Sequence, residues 1–206
     1  MRRAGLGCVA FAVCVMLLTI SNVQASEGKA EVWTNVLAPI AGSPAGKRIP
    51  VTVHFRDDQF ALTFTGVDAR EYRLLQVVAG APLVMLDNRG GGLPLPRGKL
   101  PLFVDPATPC GGMGMMSDCR KLAEGIHSGR NAVHWAYRRA NRAGPAGSDS
   151  GQMWVDSESG LLLSYTGMTL GGQEVRWQVD RVSYELQPDA LFELPEQEGN
   201  RQKRRR

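Results

Sequence analysis

The residues able to do chemistry in this chain are few and far apart. Three histidines, His54, His127 and His134, carry its imidazoles. His127 and His134 stand seven apart across a predicted turn, with no nucleophile or carboxylate grouped beside them in sequence. The chain contains no Gly-x-Ser-x-Gly elbow, no Walker loop and no His-Glu-x-x-His pair, so the motifs that announce acyl transfer, nucleotide hydrolysis and zinc proteolysis are missing. The reading is of a non-enzyme with no cofactor, its histidines ordinary surface or edge residues. One cluster has metal-binding chemistry. Met113, Met115 and Met116 crowd a Gly-flanked loop, and thioethers are soft ligands that suit Cu(I). The same three side chains also serve as adaptable apolar plugs, and that is the preferred reading; copper binding through the loop is the weaker alternative.

That loop is bracketed by Cys110 and Cys119. Their state depends on compartment, and the first residues speak to it. Arg2 and Arg3 precede an apolar run from Leu6 to Ile20, and Val23-Gln24-Ala25 supplies small residues at a cleavage site. This is the pattern of a secretory signal, and the cut is predicted between Ala25 and Ser26. Cys8 and Cys14 fall inside the signal. Export into an oxidising compartment makes a disulfide between Cys110 and Cys119 the expected state, leaving no free thiolate.

Charge is unevenly distributed. The formal net charge is +4. Arg2 and Arg3 supply two of these charges, and the tail residues Arg201, Lys203, Arg204, Arg205 and Arg206 supply five, which leaves the body at −3. The basic character therefore belongs to the tail. Residues 199–206 are expected to be disordered, with those five cations free to contact an anionic membrane surface at about 1 kcal/mol each. Export argues against nucleic acid as their partner.

Positioning falls to β-strands. Hydrophobic residues make up 43% of the chain and charged residues 21%, a globular balance that supports one core. Residues 26–198 are read as a single β-rich domain. Val51-Thr-Val-His-Phe55 and Phe60-Ala-Leu-Thr-Phe64 alternate apolar with polar around a short polar connector, as a hairpin does. Val51, Val53, Phe55, Phe60, Leu62 and Phe64 would share its buried face, with Thr52, His54 and Thr63 outward. Further strands are expected at Glu31–Ala38, Glu71–Ala79, Pro82–Asp87, Ala132–Tyr137, Gln152–Asp156, Leu161–Tyr165 and Val175–Leu186. From Leu93 to Pro109, prolines exclude helix and leave an extended segment, with Leu102–Val104 as an edge strand. Ser117 or Asp118 is placed to cap one short helical turn over Cys119–Glu124. The fold class is mainly β, with little helix after the signal.

A family resemblance rests on these elements in order. The two-Cys loop is followed by Gly125-x-x-x-Gly129-Arg130, then by Trp135 in a strand. Trp154-Val-Asp156, Gly160-Leu-Leu-Leu, a Val-rich strand and Leu191-Phe-Glu-Leu-Pro195 complete the series. It resembles uncharacterised Gram-negative periplasmic proteins related to LolA, LolB and RseB. The resemblance is best from Cys110 to Pro195; from Val51 to Leu86 only the strand rhythm matches. It implies an antiparallel sheet curled into a half-open barrel, holding a lipid or a lipidated protein on an apolar concave face. A protein-interaction or stress-sensing module is the alternative it implies. Phe55, Phe64, Trp135, Trp154 and Trp177 are the candidate lining residues, with Trp33 as a further core or wall aromatic. Two departures stand out: the helical lid of the carriers has only one short turn to represent it, and no carrier's ligand contact maps onto a numbered position.

Overall fold

The computed structural model describes residues 27–57, 59–78, 81–87, 92–94, 102–110, 117–138 and 148–194. Their alternating apolar positions form eleven strands: β1 (Glu27–Thr34), β2 (Ile49–Arg56), β3 (Gln59–Thr65), β4 (Glu71–Gln76), β5 (Val84–Asp87), β6 (Gly92–Pro94), β7 (Ser117–His127), β8 (Arg130–Arg138), β9 (Ser150–Asp156), β10 (Leu162–Met168) and β11 (Glu174–Ser183). All belong to one antiparallel sheet in the order β6-β5-β4-β3-β2-β1-β11-β10-β9-β8-β7. The first and last strands meet at its centre and carry a meander on each side. β6 and β7 are opposite edges and do not pair, so the sheet curls without closing. Bulges at Glu31/Val32 against β11 and at Leu162/Ser164 against β9 add local twist to that curl. The predicted signal cut falls one residue before β1 begins.

The inner face holds the core. Val51, Val53, Phe55, Phe60, Leu62 and Phe64 are all buried there, as their alternation required. Val175, Trp177 and Val179 of β11 continue the same wall. At roughly 1.5–3 kcal/mol for each large apolar side chain, this face supplies most of the drive to fold. Ala61, Leu75 and Leu86 form a smaller cluster on the outer side of β3–β5.

Two expectations about local structure change. Cys119–Glu124 is not a helical turn: it lies within β7, the longest strand. Hairpin pairing with β8 from Ser117 to His127 satisfies its backbone, and that outweighs a weak local helix signal. Asp118, with φ 52°, sits at a register shift of this ladder and caps no helix. Leu102–Val104 is not an edge strand either. It crosses the inner face, making one isolated bridge from Phe103 to Leu161. Leu162 N–H donates to Leu102 O at 2.7 Å and Val104 N–H to Gly160 O at 2.9 Å. Leu102 and Val104 are buried, and the Phe103 ring meets Phe55 edge-on at 5.3 Å. The segment thus joins the two halves of the sheet from within. It can approach so closely because residue 160 is glycine: a Cβ there would lie 2.3 Å from Val104 O, and its φ of 73° is in the left-handed region.

After β11 the chain straps the outer face of β2–β4. His54 Nδ1 pairs with Gln187 Oε1 at 2.7 Å. Arg56 bonds Glu27 at 2.8 Å and Asp189 at 2.6 Å, and its guanidinium lies 4.9 Å over the buried ring of Phe192. Arg73 donates to the carbonyls of Ala190 and Glu193. The segment containing Leu191-Phe-Glu-Leu is therefore a clip, anchored by Phe192 beside a short 3-10 turn at Asp189–Leu191.

Candidate functional site

Cross-strand register sets which side chains meet on each face. On the inner side, one row runs Trp135–Met153–Tyr165–Trp177 across β8, β9, β10 and β11. Tyr165 and Trp177 lie parallel with ring centroids 6.2 Å apart, and Trp177 donates Nε1–H to Leu162 O at 3.2 Å. Phe55, Phe64 and Trp177 are almost wholly buried in the core, whereas Trp135 is half-buried beside it. Two polar atoms of this row have no hydrogen-bond partner although they are buried: Trp135 Nε1 and Tyr165 Oη. Burial drives the Tyr165 phenol far above its ordinary range, with Tyr137 adding to the effect. Its hydroxyl therefore keeps its proton and stays an unpaired donor. Cys110 and Cys119 form the expected disulfide, Cα–Cα 5.8 Å, and both pack against the same core.

Trp154 belongs to the opposite face. The outer row is Pro50–Trp33–Gln178–Ser164–Trp154–His134, one residue from each of β2, β1, β11, β10, β9 and β8. The His134 ring stacks on Trp154 at 4.4 Å and the His127 ring at 4.9 Å, each within 4° of parallel. His127 arrives from the β7–β8 hairpin tip, which folds over the sheet as far as β11. Ser128 Oγ donates to Val179 O at 2.6 Å, and Gln178 Nε2 lies 3.3 Å from His127 Nε2. Gly125 lies against the same indole, where a Cβ would stand in ordinary contact at 3.8 Å from the Trp154 ring. Burial, with help from His134, lowers the His127 pKa below its usual value, so the imidazole is neutral near pH 7.

The same tip is pinned by a buried ion pair. Asp156 is fully buried. Arg130 Nε donates to its Oδ2 at 2.7 Å, and the amides of Glu158 and Ser159 donate to Oδ1 at 2.8 and 3.1 Å. Burial pushes this carboxyl up, but the Arg130 hydrogen bond and the two amides outweigh it and hold the group below the ordinary range. Arg130 also bonds Glu158 and lies 4.9 Å over the Tyr184 ring.

Beneath this roof an outer groove of about 470 Å³ runs along β9 and β10. It is lined by Trp154, His127, His134, Gln152, Ser164, Thr166, Met168 and Glu174 among others. A second depression of about 500 Å³ lies between Asn35, Arg48 and Arg176 and shares Glu174 with the first. Two of the three histidines that looked scattered in sequence, His127 and His134, are thus brought around one indole, a juxtaposition only the register and the folded-over tip create. Met113, Met115, Met116 and the basic tail Arg201–Arg206 lie outside the described residues. Among those described, no group of three or more His, Cys, Asp or Glu side chains is arranged to hold a metal ion, and no helix is long and apolar enough to cross a membrane.

Among the described residues the chain forms an eleven-stranded antiparallel sheet, curled but unclosed, with an aromatic inner wall, the half-open sheet that the sequence reading expected. No protein-family model matches the sequence, and no curated protein matches it. Among solved structures it is similar to an uncharacterized conserved protein from Thermus thermophilus, at 10% identity and TM-score 0.53, covering 85% of this chain and 88% of that one. A chain of the Pseudomonas aeruginosa MucA/MucB complex matches at 15% identity and TM-score 0.39, over 82% of this chain and 58% of that one. A LolA superfamily protein from Nitrosomonas europaea matches at 9% identity and TM-score 0.34, over 83% and 91%. The Thermus likeness is one of fold.

Proposed function

We propose that this is an exported, non-catalytic binding module of the cell envelope that takes an apolar ligand, a lipid or a lipidated protein, on the inner wall of its half-barrel. The observation that carries this reading is the pair of unpaired donors, Trp135 Nε1 and Tyr165 Oη, in an otherwise apolar aromatic wall. An unpaired buried donor costs about 1–3 kcal/mol. An amphiphile that lays its chain along the wall and offers an ester or amide carbonyl would remove that cost. Each buried methylene adds about 0.8 kcal/mol. In the resting chain, Leu102–Val104 covers the neighbouring part of the wall, held by two backbone hydrogen bonds, and it is the element an incoming chain would displace. The signal-like leader and the disulfide support a periplasmic location, and the basic tail supports contact with an anionic membrane.

Native mass spectrometry of protein taken from the periplasm tests the first point, and co-purifying lipid is the expected result. The second point is tested by locking the crossing segment. Phe103 and Leu161 face one another as a non-hydrogen-bonded antiparallel pair, the closer-spaced kind that suits a cross-strand disulfide. The double variant Phe103→Cys/Leu161→Cys should bind a fluorescent acyl probe when reduced and lose it when oxidised. Equal binding in both states would remove the inner wall from consideration.

A further inference from the structure

The outer groove has a chemistry of its own, unrelated to that of the inner wall. Ser164 forms its floor between Trp154 and Gln178, is 8% exposed, and its hydroxyl makes no hydrogen bond to any described residue. The Oγ is nevertheless not among the atoms sealed from solvent, so a ligand atom can reach it. Gln152 and Thr166 face each other across β9 and β10 in the next outer row, and their side chains are likewise without a partner among the described residues. His134 stacks on Trp154 and makes no hydrogen bond to a described residue. The groove thus keeps four polar side chains in reserve beside an aromatic wall. Two of them are hydroxyls and one an amide, groups that both donate and accept.

We propose that this groove is a binding site for a neutral, polyhydroxylated ligand, that is, a glycan segment. The alternatives fit less well on the groups present. A phosphate or carboxylate needs an unpaired cation, but the groove's acidic member Glu174 is already joined to Arg176 at 2.9 Å, and no Lys or Arg is among the described residues that line the groove. An acyl chain needs an apolar floor, whereas this floor is Gln152, Ser164 and Thr166. An extended peptide needs free main-chain groups, and β9 and β10 are paired on both sides. Sugar hydroxyls match groups that both donate and accept. Sugar C–H faces match the flat indole–imidazole wall. At about 470 Å³ the groove is within the usual range for small-ligand sites, and the buried ion pair of Arg130 and Asp156 holds its roof in place before any ligand arrives.

The test is titration of the full mature chain with chitotetraose and with maltotetraose, read by calorimetry and by the Trp154 indole resonance. Saturable binding that shifts this resonance is expected for at least one of the two. Ser164→Ala and Gln152→Ala should each weaken it about tenfold, the loss of one hydrogen bond. Their thermal unfolding should match wild type, and acyl-probe binding at the inner wall should be unchanged, which separates the two sites. The proposal is overturned if neither oligosaccharide binds at millimolar concentration, or if binding survives both substitutions. It is equally overturned if decanoate or an acidic hexapeptide, rather than a sugar, moves the Trp154 resonance.

Discussion

Replacing Arg130 by methionine should show how much of the hairpin roof depends on one guanidinium. Methionine keeps the length of the stem but removes the charge. Three contacts go: the 2.7 Å bond to buried Asp156, the 2.8 Å bond to Glu158, and the stack 4.9 Å above Tyr184. A hydrogen bond between charged groups contributes about 1.5–3 kcal/mol, and a cation over an aromatic ring about 0.5–1 kcal/mol. The Glu158 bond is exposed and adds little. Asp156 keeps the Glu158 and Ser159 amides but loses its counter-charge while fully buried. The Arg130 side chain is 26% exposed, so some water reaches the gap. The expected loss is about 2–4 kcal/mol, near the lower end for a broken buried pair. Urea unfolding followed by tryptophan fluorescence measures it. The pH dependence gives a second handle. The native Asp156 carboxyl lies below its ordinary 3.8, so its stabilisation is complete above that value and is lost as pH falls through the native pKa. Without Arg130, burial is less opposed and the native pKa rises. The gap between wild type and variant should therefore be widest near neutrality and shrink below about pH 4. A loss under about 0.5 kcal/mol near neutral pH, or a gap that stays constant down to about pH 3, would refute the account of Asp156 as a charge kept buried by Arg130.

Gly160→Ala forces a Cβ to within 2.3 Å of Val104 O at a φ of 73°; it should cost more than about 1 kcal/mol and raise amide exchange at Val104 in particular. Removing the Cys110–Cys119 bond, which spans a sequence separation of 9, should lower stability by about 2–3 kcal/mol in the chain-entropy picture, measured by unfolding with and without reductant. Because the native His127 pKa is lowered, its contribution is fully present above the unfolded value near 6.5 and declines as pH falls below it. Amide protection at the hairpin tip should drop as pH falls below about 6.5 in wild type, but not in His127→Gln.

Much of the wall was legible in the residues themselves. Period-two alternation from Val51 to Phe64 determined which side chains are buried, because a strand presents alternate residues to opposite faces. The same logic placed β8, β9, β10 and β11 and the Phe192 clip. The disulfide followed from export chemistry. What alternation cannot encode is which strand lies beside which. The sequence gives no sign that Glu27–Thr34 pairs with Glu174–Ser183, since that contact joins segments some 140 residues apart, as the Thr34 to Arg176 hydrogen bond illustrates at |i−j| = 142. The fate of Cys119–Glu124 was likewise decided by pairing, here the hairpin ladder to β8, which overrode the helix preference of the segment itself. Tertiary structure alone put Trp154 outside and Trp177 inside, since one residue of register moves a side chain through the sheet. It alone brought His127 and His134 to the same indole and left Ser164 buried without a partner among the described residues. Composition and periodicity therefore determined that there would be a greasy curved wall; register and the folding-over of one hairpin decided what each side of it can hold.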